Sequence, residues 1–217
     1  MVLTNDVWNR TMGVYGLVRL IEPALTQTVI TPVLDVAGHA FQGLPAQVIL
    51  GNSSDLGEAI AALDQAALNR IEDGLAEALG LPFLLSTPGA LPPTPPGAFN
   101  YPEWAGIYYA TSLPVDQETK RYVVVSTNRL NAHSRSAMVV RTTSQTKYPT
   151  EGIAFPAIEA GSKHACCGDL TSVLASSLPL HRSFQPQRLS FSDMQSVAQG
   201  LVQTHLLDGA LARRLRP

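Results

Sequence analysis

The alternation of apolar and polar positions changes character along this chain, and each change predicts an element. In the first ninety residues, three β-branched runs bounded by turn residues predict strands: VYGLVRLI from Val14, TVITPVLDV from Thr28 and the short AQVIL from Ala46. The segment LGEAIAALDQAALNRIEDGLAEALGLP follows, with Leu68, Ile71, Leu75 and Leu79 recurring every three or four residues. That period predicts an amphipathic helix, capped by Asp64 and stopped by Gly80 and Pro82. After residue 100 the plan recurs. GIYYATSL, RYVVVST, SAMVVRTT and GIAFPAI predict strands, HACCGDL follows, and LSFSDMQSVAQGLVQTHLL predicts a closing helix. Ser190 or Ser192 can cap that helix, and Met194, Val197, Leu201 and Leu206 form its apolar stripe.

Between the two plans lies STPGALPPTPPGAFNYP, Ser86 to Pro102. Its prolines exclude helix and central strand, so it reads as a semi-rigid linker. The expected organisation is a first unit over 1–85, a linker over 86–100 and a second unit over 101–217. Residue identities repeat as well. VLTN at Val2 echoes VSTN at Val125, GLVRLI at Gly16 falls over MVVRTT at Met138, and GLPAQV parallels AFPAIE. These matches predict an internal duplication whose first copy begins in mid-motif, without the opening strands.

Composition adds limits. The chain has 217 residues and is 45% hydrophobic, enough for sizeable cores. No apolar run approaches the ~20 residues of a membrane span, and no signal-peptide pattern opens the chain, so a cytoplasmic location is expected. The only cysteines, Cys166 and Cys167, are adjacent and ill placed for a mutual disulfide. With His164 they could be soft-metal ligands, but a zinc site needs four spaced ligands, so buried strand positions are the preferred reading and no cofactor is expected. The net charge of -2 conceals an asymmetry: up to Ala90 three arginines face nine acids, whereas from Leu91 twelve cations face eight. The basic half could meet a phosphate backbone, and a solvated strand face explains the same excess equally well.

In the second half, GIYYATSLPVDQETKRYVVVSTNRLN, MVVRTTSQTK, SSLPL and RLSFSDMQSVAQGL follow one another in an order and spacing that resembles the MazF/PemK/Kid family of toxin endoribonucleases. The likeness covers about Tyr101 to Leu207, and the first half fits from its apolar strand onward. It implies an α+β, mainly β fold: two SH3-like small barrels, each followed by a C-terminal helix. Because family members form homodimers, it also implies an intramolecular pseudo-dimer, with further homodimerisation open.

The implied activity is metal-independent cleavage of single-stranded RNA, such as mRNA, by attack of the ribose 2'-hydroxyl, leaving a 2',3'-cyclic phosphate and a 5'-hydroxyl. A cognate antitoxin is the implied protein partner. Carried over by position, the functional arginine is Arg121 and the strand-end hydroxyls are Thr143 and Ser144. A guanidinium and a hydroxyl suit a dianionic transition state, because both are donors to phosphate oxygens. Asn128, Arg129, His133, Gln145 and Lys147 are candidate RNA contacts and equally credible as ordinary loop residues. Arginine is a poor base, so the base is unidentified; His133 is a candidate.

The sequence departs from the family pattern where Tyr122 replaces a proline and where TSVLAS replaces polar residues before the SSLPL corner. In the first half Ile21 and Glu22 stand in the places of Thr143 and Ser144, so that copy should be chemically inert. The same barrel superfamily includes toxins that bind DNA gyrase without cutting nucleic acid. A non-catalytic binding protein or decoy is therefore the alternative.

Overall fold

The computed structural model describes residues 1–217 except 5, 53, 55, 59–60, 87–100, 111–119, 145–153, 160, 179–186 and 215–217. The linker expected over 86–100 thus lies almost wholly outside the described residues. The first half runs α1 (Asp6–Met12), β1 (Val14–Ile21), β2 (Val33–Val36), β3 (His39–Asn52), α2 (Gln65–Ala78) and α3 (Leu81–Ser86). The second runs β4 (Gly106–Ala110), β5 (Lys120–Val124), α4 (Asn128–Ser134), β6 (Ser136–Thr143), β7 (Ala157–Ile158), β8 (Lys163–Leu174), β9 (Gln187–Arg188), α5 (Phe191–His205) and α6 (Asp208–Arg214). Two antiparallel sheets result, one of three strands in the order β1-β3-β2 and one of six in the order β7-β8-β6-β5-β4-β9. No helix among the described residues is long and apolar enough to cross a membrane.

The helices start where their caps dictate. The Asp64 carboxylate accepts the Ala67 N–H at 2.7 Å, and the Ser190 hydroxyl accepts the Asp193 N–H at 3.0 Å, each satisfying a donor the first turn leaves unpaired. Ile71, Leu75 and Leu79 are fully buried, each stabilising the fold by roughly 2 kcal/mol through removal of apolar surface from water. Two expectations need correction. Pro82 does not stop α2; Gly80 does, in the left-handed region at φ +64°, and Pro82 sits in the first turn of α3, where its missing N–H costs nothing. Leu206 is not on the apolar stripe: as the left-handed cap of α5 it points to solvent, and Leu207 enters the core instead.

The connections after Thr4 and Thr127 are short helices. Each is tied by the same three hydrogen bonds. The Thr4 hydroxyl donates to Asn9 Oδ1 at 2.5 Å and accepts the Gly16 N–H at 3.0 Å, while Asn9 Nδ2 donates to the Thr4 carbonyl at 3.0 Å. The Ser126 hydroxyl donates to Asn131 Oδ1 at 2.5 Å and accepts the Met138 N–H at 2.8 Å, while Asn131 Nδ2 donates to the Ser126 carbonyl at 3.2 Å. Both helices end in a residue with positive φ, Gly13 at 65° and Arg135 at 53°, which turns the chain into β1 and β6.

These equivalences fix a register. From Asp6 to Asn128 and from Val14 to Ser136 the offset is 122 residues. GLVRLI over MVVRTT obeys it, but VLTN over VSTN is one residue out, since Thr4 plays the part of Ser126. GLPAQV over AFPAIE is not a structural pair. GLPAQV lies in β3, whose counterpart is β8, because Arg19 pairs Leu44 as Arg141 pairs Cys166. Short β-branched matches are ambiguous between neighbouring strands, and only hydrogen-bond register separates them.

One hydrophobic core joins the halves, running from Val18, Leu34 and Val48 through Ile71 and Leu75 to Val123, Val140 and Leu201. The helices meet reciprocally, α2 on α6 and α5 on α3, and β3 lies against β8. Polar links follow the same seam. The Ser172 hydroxyl donates to the Ala46 carbonyl at 2.9 Å, the Thr127 N–H to the Ala78 carbonyl at 3.0 Å, and Arg213 pairs with Glu72 and Asp73 at 3.0 and 2.9 Å. A smaller cluster of Tyr108, Tyr122, Val124, Ala137, Val139, Val173 and Leu178 covers the other face of the six-stranded sheet.

Candidate functional site

Strands β5 and β6 carry Arg121 and Thr143 at the same end of a hairpin. Strand alternation then separates them. Tyr122 is the cross-strand partner of Arg141, so Arg121 leaves the sheet on the face of Val123 and the large core, whereas Thr143 leaves it on the face of Arg141 and Tyr122.

Arg121 is half-buried and ion-paired with Glu159, which sits at φ +53° in the turn between β7 and β8. Its guanidinium carbon lies 5.8 Å from the ring centre of Tyr109, its cross-strand neighbour, and its Nε–H is buried with no hydrogen-bond partner among the described residues. The Glu159 N–H donates to the Asp193 carboxylate in the first turn of α5 at 3.3 Å. Arg121 therefore latches the start of β5 to the β7–β8 turn, and that turn is tied to α5.

On the opposite face, Thr143 is half-buried, Ser144 is exposed, and the cross-strand partner of Thr143 on β8 is His164. His164 Nδ1 lies 3.3 Å from the Phe155 carbonyl. On its other side His164 pairs with Ala157. Two residues along β6, Arg141 binds the Asp169 carboxylate through Nε at 2.8 Å and through its terminal nitrogen at 2.7 Å. Cys166 lies beside this pair; burial pushes its thiol up to about 12, with Asp169 adding to the shift and Arg141 opposing it.

The remaining candidates are placed elsewhere. Asn128 is buried, and its Oδ1 accepts the Trp104 N–H at 2.7 Å, holding the chain just before β4. Arg129 and His133 are exposed on α4, and His133 Nδ1 lies 2.7 Å from the Arg129 carbonyl. They occupy the far end of the hairpin, about 25 Å from Thr143 along the eight residues of β6. Gln145 and Lys147 lie outside the described residues. Cys166 and Cys167 are buried, Cys167 with its thiol also pushed up by burial, and adjacent strand residues point to opposite faces. Among the described residues no group of three or more His, Cys, Asp and Glu side chains could hold a metal ion.

Sequence reading missed the Glu159 partner of Arg121, the Asp169 partner of Arg141 and the nearness of His164 to Thr143. All three residues lie on β8 or in the turn that leads into it, far along the chain from their partners, and no local motif announces those contacts.

No protein-family model and no curated protein sequence matches the chain. Among solved structures it is similar to an endoribonuclease in complex with its cognate antitoxin from a mycobacterial species. The identity is 16% and the TM-score 0.37, with 46% of this chain and 91% of that one covered. It is similar also to an endoribonuclease from a mycobacterial species, at 17% identity and TM-score 0.38, covering 48% of this chain and 91% of that one. A third similar structure is a MazE-MazF assembly from Deinococcus radiodurans, at 14% identity and TM-score 0.36, covering 47% and 92%.

Proposed function

We propose that this chain is a MazF-like endoribonuclease of a toxin-antitoxin pair, cleaving single-stranded RNA without a metal at the end of the β5–β6 hairpin. The observation that carries the reading is the placement of Arg121 and Thr143, with Ser144 next to Thr143, at the same end of the β5–β6 hairpin though on opposite faces of the sheet, in a segment whose motif order resembles that of the family. Thr143 and Ser144 donate to phosphate oxygens. Arg121 stabilises developing charge once an RNA phosphate takes the place of the Glu159 carboxylate, an exchange of one oxyanion for another on the same guanidinium. The first half acts as built-in partner to the second in a pseudo-dimer of two barrels. The reciprocal helix contacts and the 122-residue register support this. A cognate antitoxin would restrain the nuclease.

One observation favours a second reading, a non-catalytic binding protein: Arg121 is already engaged by Glu159, on the face opposite Thr143. Incubation of the full chain with long unstructured RNA in EDTA separates the two. Cleavage to 2',3'-cyclic phosphate ends, reduced at least a hundredfold by Arg121→Ala and by Thr143→Ala, is the expected result. Intact RNA, or full activity in both variants, would overturn the nuclease.

A further inference from the structure

We propose that His164 is the general base of this site, an inference that rests on the endoribonuclease reading. The chemistry needs a group that takes the proton from the ribose 2'-hydroxyl, and Arg121 and Arg141 are too basic to do so. Among the described residues the nearby carboxylates are engaged: Glu159 with Arg121, Asp169 with Arg141, and Asp193 with the Glu159 N–H.

His164 is placed differently. It is the direct cross-strand neighbour of Thr143, on the same sheet face, and direct neighbours in an antiparallel pair hold their Cβ atoms about 5 Å apart. Its Nδ1 faces the Phe155 carbonyl, which can only accept, so Nδ1 carries the proton. Nε2 of the neutral ring then holds the lone pair, the tautomer a base requires. The backbone carbonyl thus orients the imidazole as a carboxylate does in hydrolytic triads. On the sheet face of this ring lie Thr143 and Arg141 from β6 and Cys166 from β8, with Ala157 of β7 as its other cross-strand partner. Ala157 is small, and Ser144 next to Thr143 is exposed.

The step balances as follows. Nε2 takes the 2'-hydroxyl proton as the 2'-oxygen bonds to phosphorus. The bond from phosphorus to the 5'-oxygen breaks with its electron pair on that oxygen, which takes a proton from water. The imidazolium then returns its proton to solvent.

The test compares wild type, His164→Ala and His164→Gln, all as full chains, on single-stranded RNA in EDTA, with RNA affinity measured by filter binding and folding by thermal unfolding. His164→Ala and His164→Gln should lower kcat by 10²–10⁴-fold with affinity kept within about threefold, and added imidazole should restore cleavage to His164→Ala. Cleavage within threefold of wild type in folded His164→Ala places the base elsewhere and overturns the inference while leaving the nuclease intact. A loss that imidazole does not relieve assigns His164 a structural part and also overturns it. Intact RNA with wild type removes the nuclease itself, and His164 falls with it.

Discussion

Arg121 and Glu159 form an ion pair that ties the start of β5 to the bend between β7 and β8, at the end of the sheet that carries the candidate site. The pair is mostly shielded, with side-chain exposures of 20% and 13%. Removing one partner leaves the other partly desolvated and unpaired. Glu159→Gln should lower stability by about 1–3 kcal/mol in urea unfolding. It should also tighten RNA binding, because the phosphate no longer competes with a carboxylate. Weaker RNA binding by a folded Glu159→Gln would show that Arg121 is a structural latch only.

Ser126 and Thr4 each knot a short helix to the strand that follows. Ser126→Ala strands the buried Met138 N–H and one oxygen of Asn131, and should cost about 1–3 kcal/mol. Thr4→Ala should cost a similar amount through Asn9 and Gly16. Because one core joins the halves, both losses should appear in a single unfolding transition by circular dichroism. Two separate transitions, with each variant moving only one, would contradict the shared core.

His205 lies fully buried at the seam, with Nε2 3.0 Å from the Cys167 carbonyl and Nδ1 without a partner among the described residues. Burial pulls it down to about 4 from its ordinary 6.5. As pH falls through 6.5 the unfolded chain takes up the proton first, and folded His205 resists until about pH 4. Stability therefore drops with falling pH across that window, by roughly 3 kcal/mol in all. His205→Gln should flatten this part of the stability profile. An unchanged slope in that variant would assign the acid sensitivity to other groups.

Both thiols are buried and held protonated, Cys166 at about 12 and Cys167 with its Sγ 3.7 Å from the Val197 carbonyl. The thiolate is the species that reacts. Iodoacetamide at pH 8 should leave both unmodified in the native protein and label both in 6 M guanidinium, as read by mass spectrometry. Rapid labelling of native Cys166 would mean that its strand opens without global unfolding.

Gly200 in α5 meets Cys167 Sγ at 2.7 Å from where a Cβ would stand, and Gly74 in α2 meets the Val29 carbonyl oxygen at 2.6 Å. The two helices therefore press on their sheets through equivalent small positions. Gly74→Ala should cost about 1–3 kcal/mol, since its obstacle includes backbone. An unchanged melting temperature would show that the loop carrying Val29 yields freely.

What local chemistry dictates was readable from the residues. Asp64 was a cap before an apolar stripe, as was one of Ser190 and Ser192, Val14–Ile21 and Ser136–Thr143 read as strands, and the periodicity of Ile71, Leu75 and Leu79 named the buried face of α2. Those features depend on neighbours within four residues. Partnership across the chain does not. That Arg121 meets Glu159, that Thr143 faces His164 and not Arg121, and that Leu207 replaces Leu206 in the core follow from strand register and one left-handed residue. A one-residue slip reverses every side chain of a strand while leaving its composition unchanged, so sequence determined which segments could form the site, and only the tertiary hydrogen-bond register decided which side chains share it.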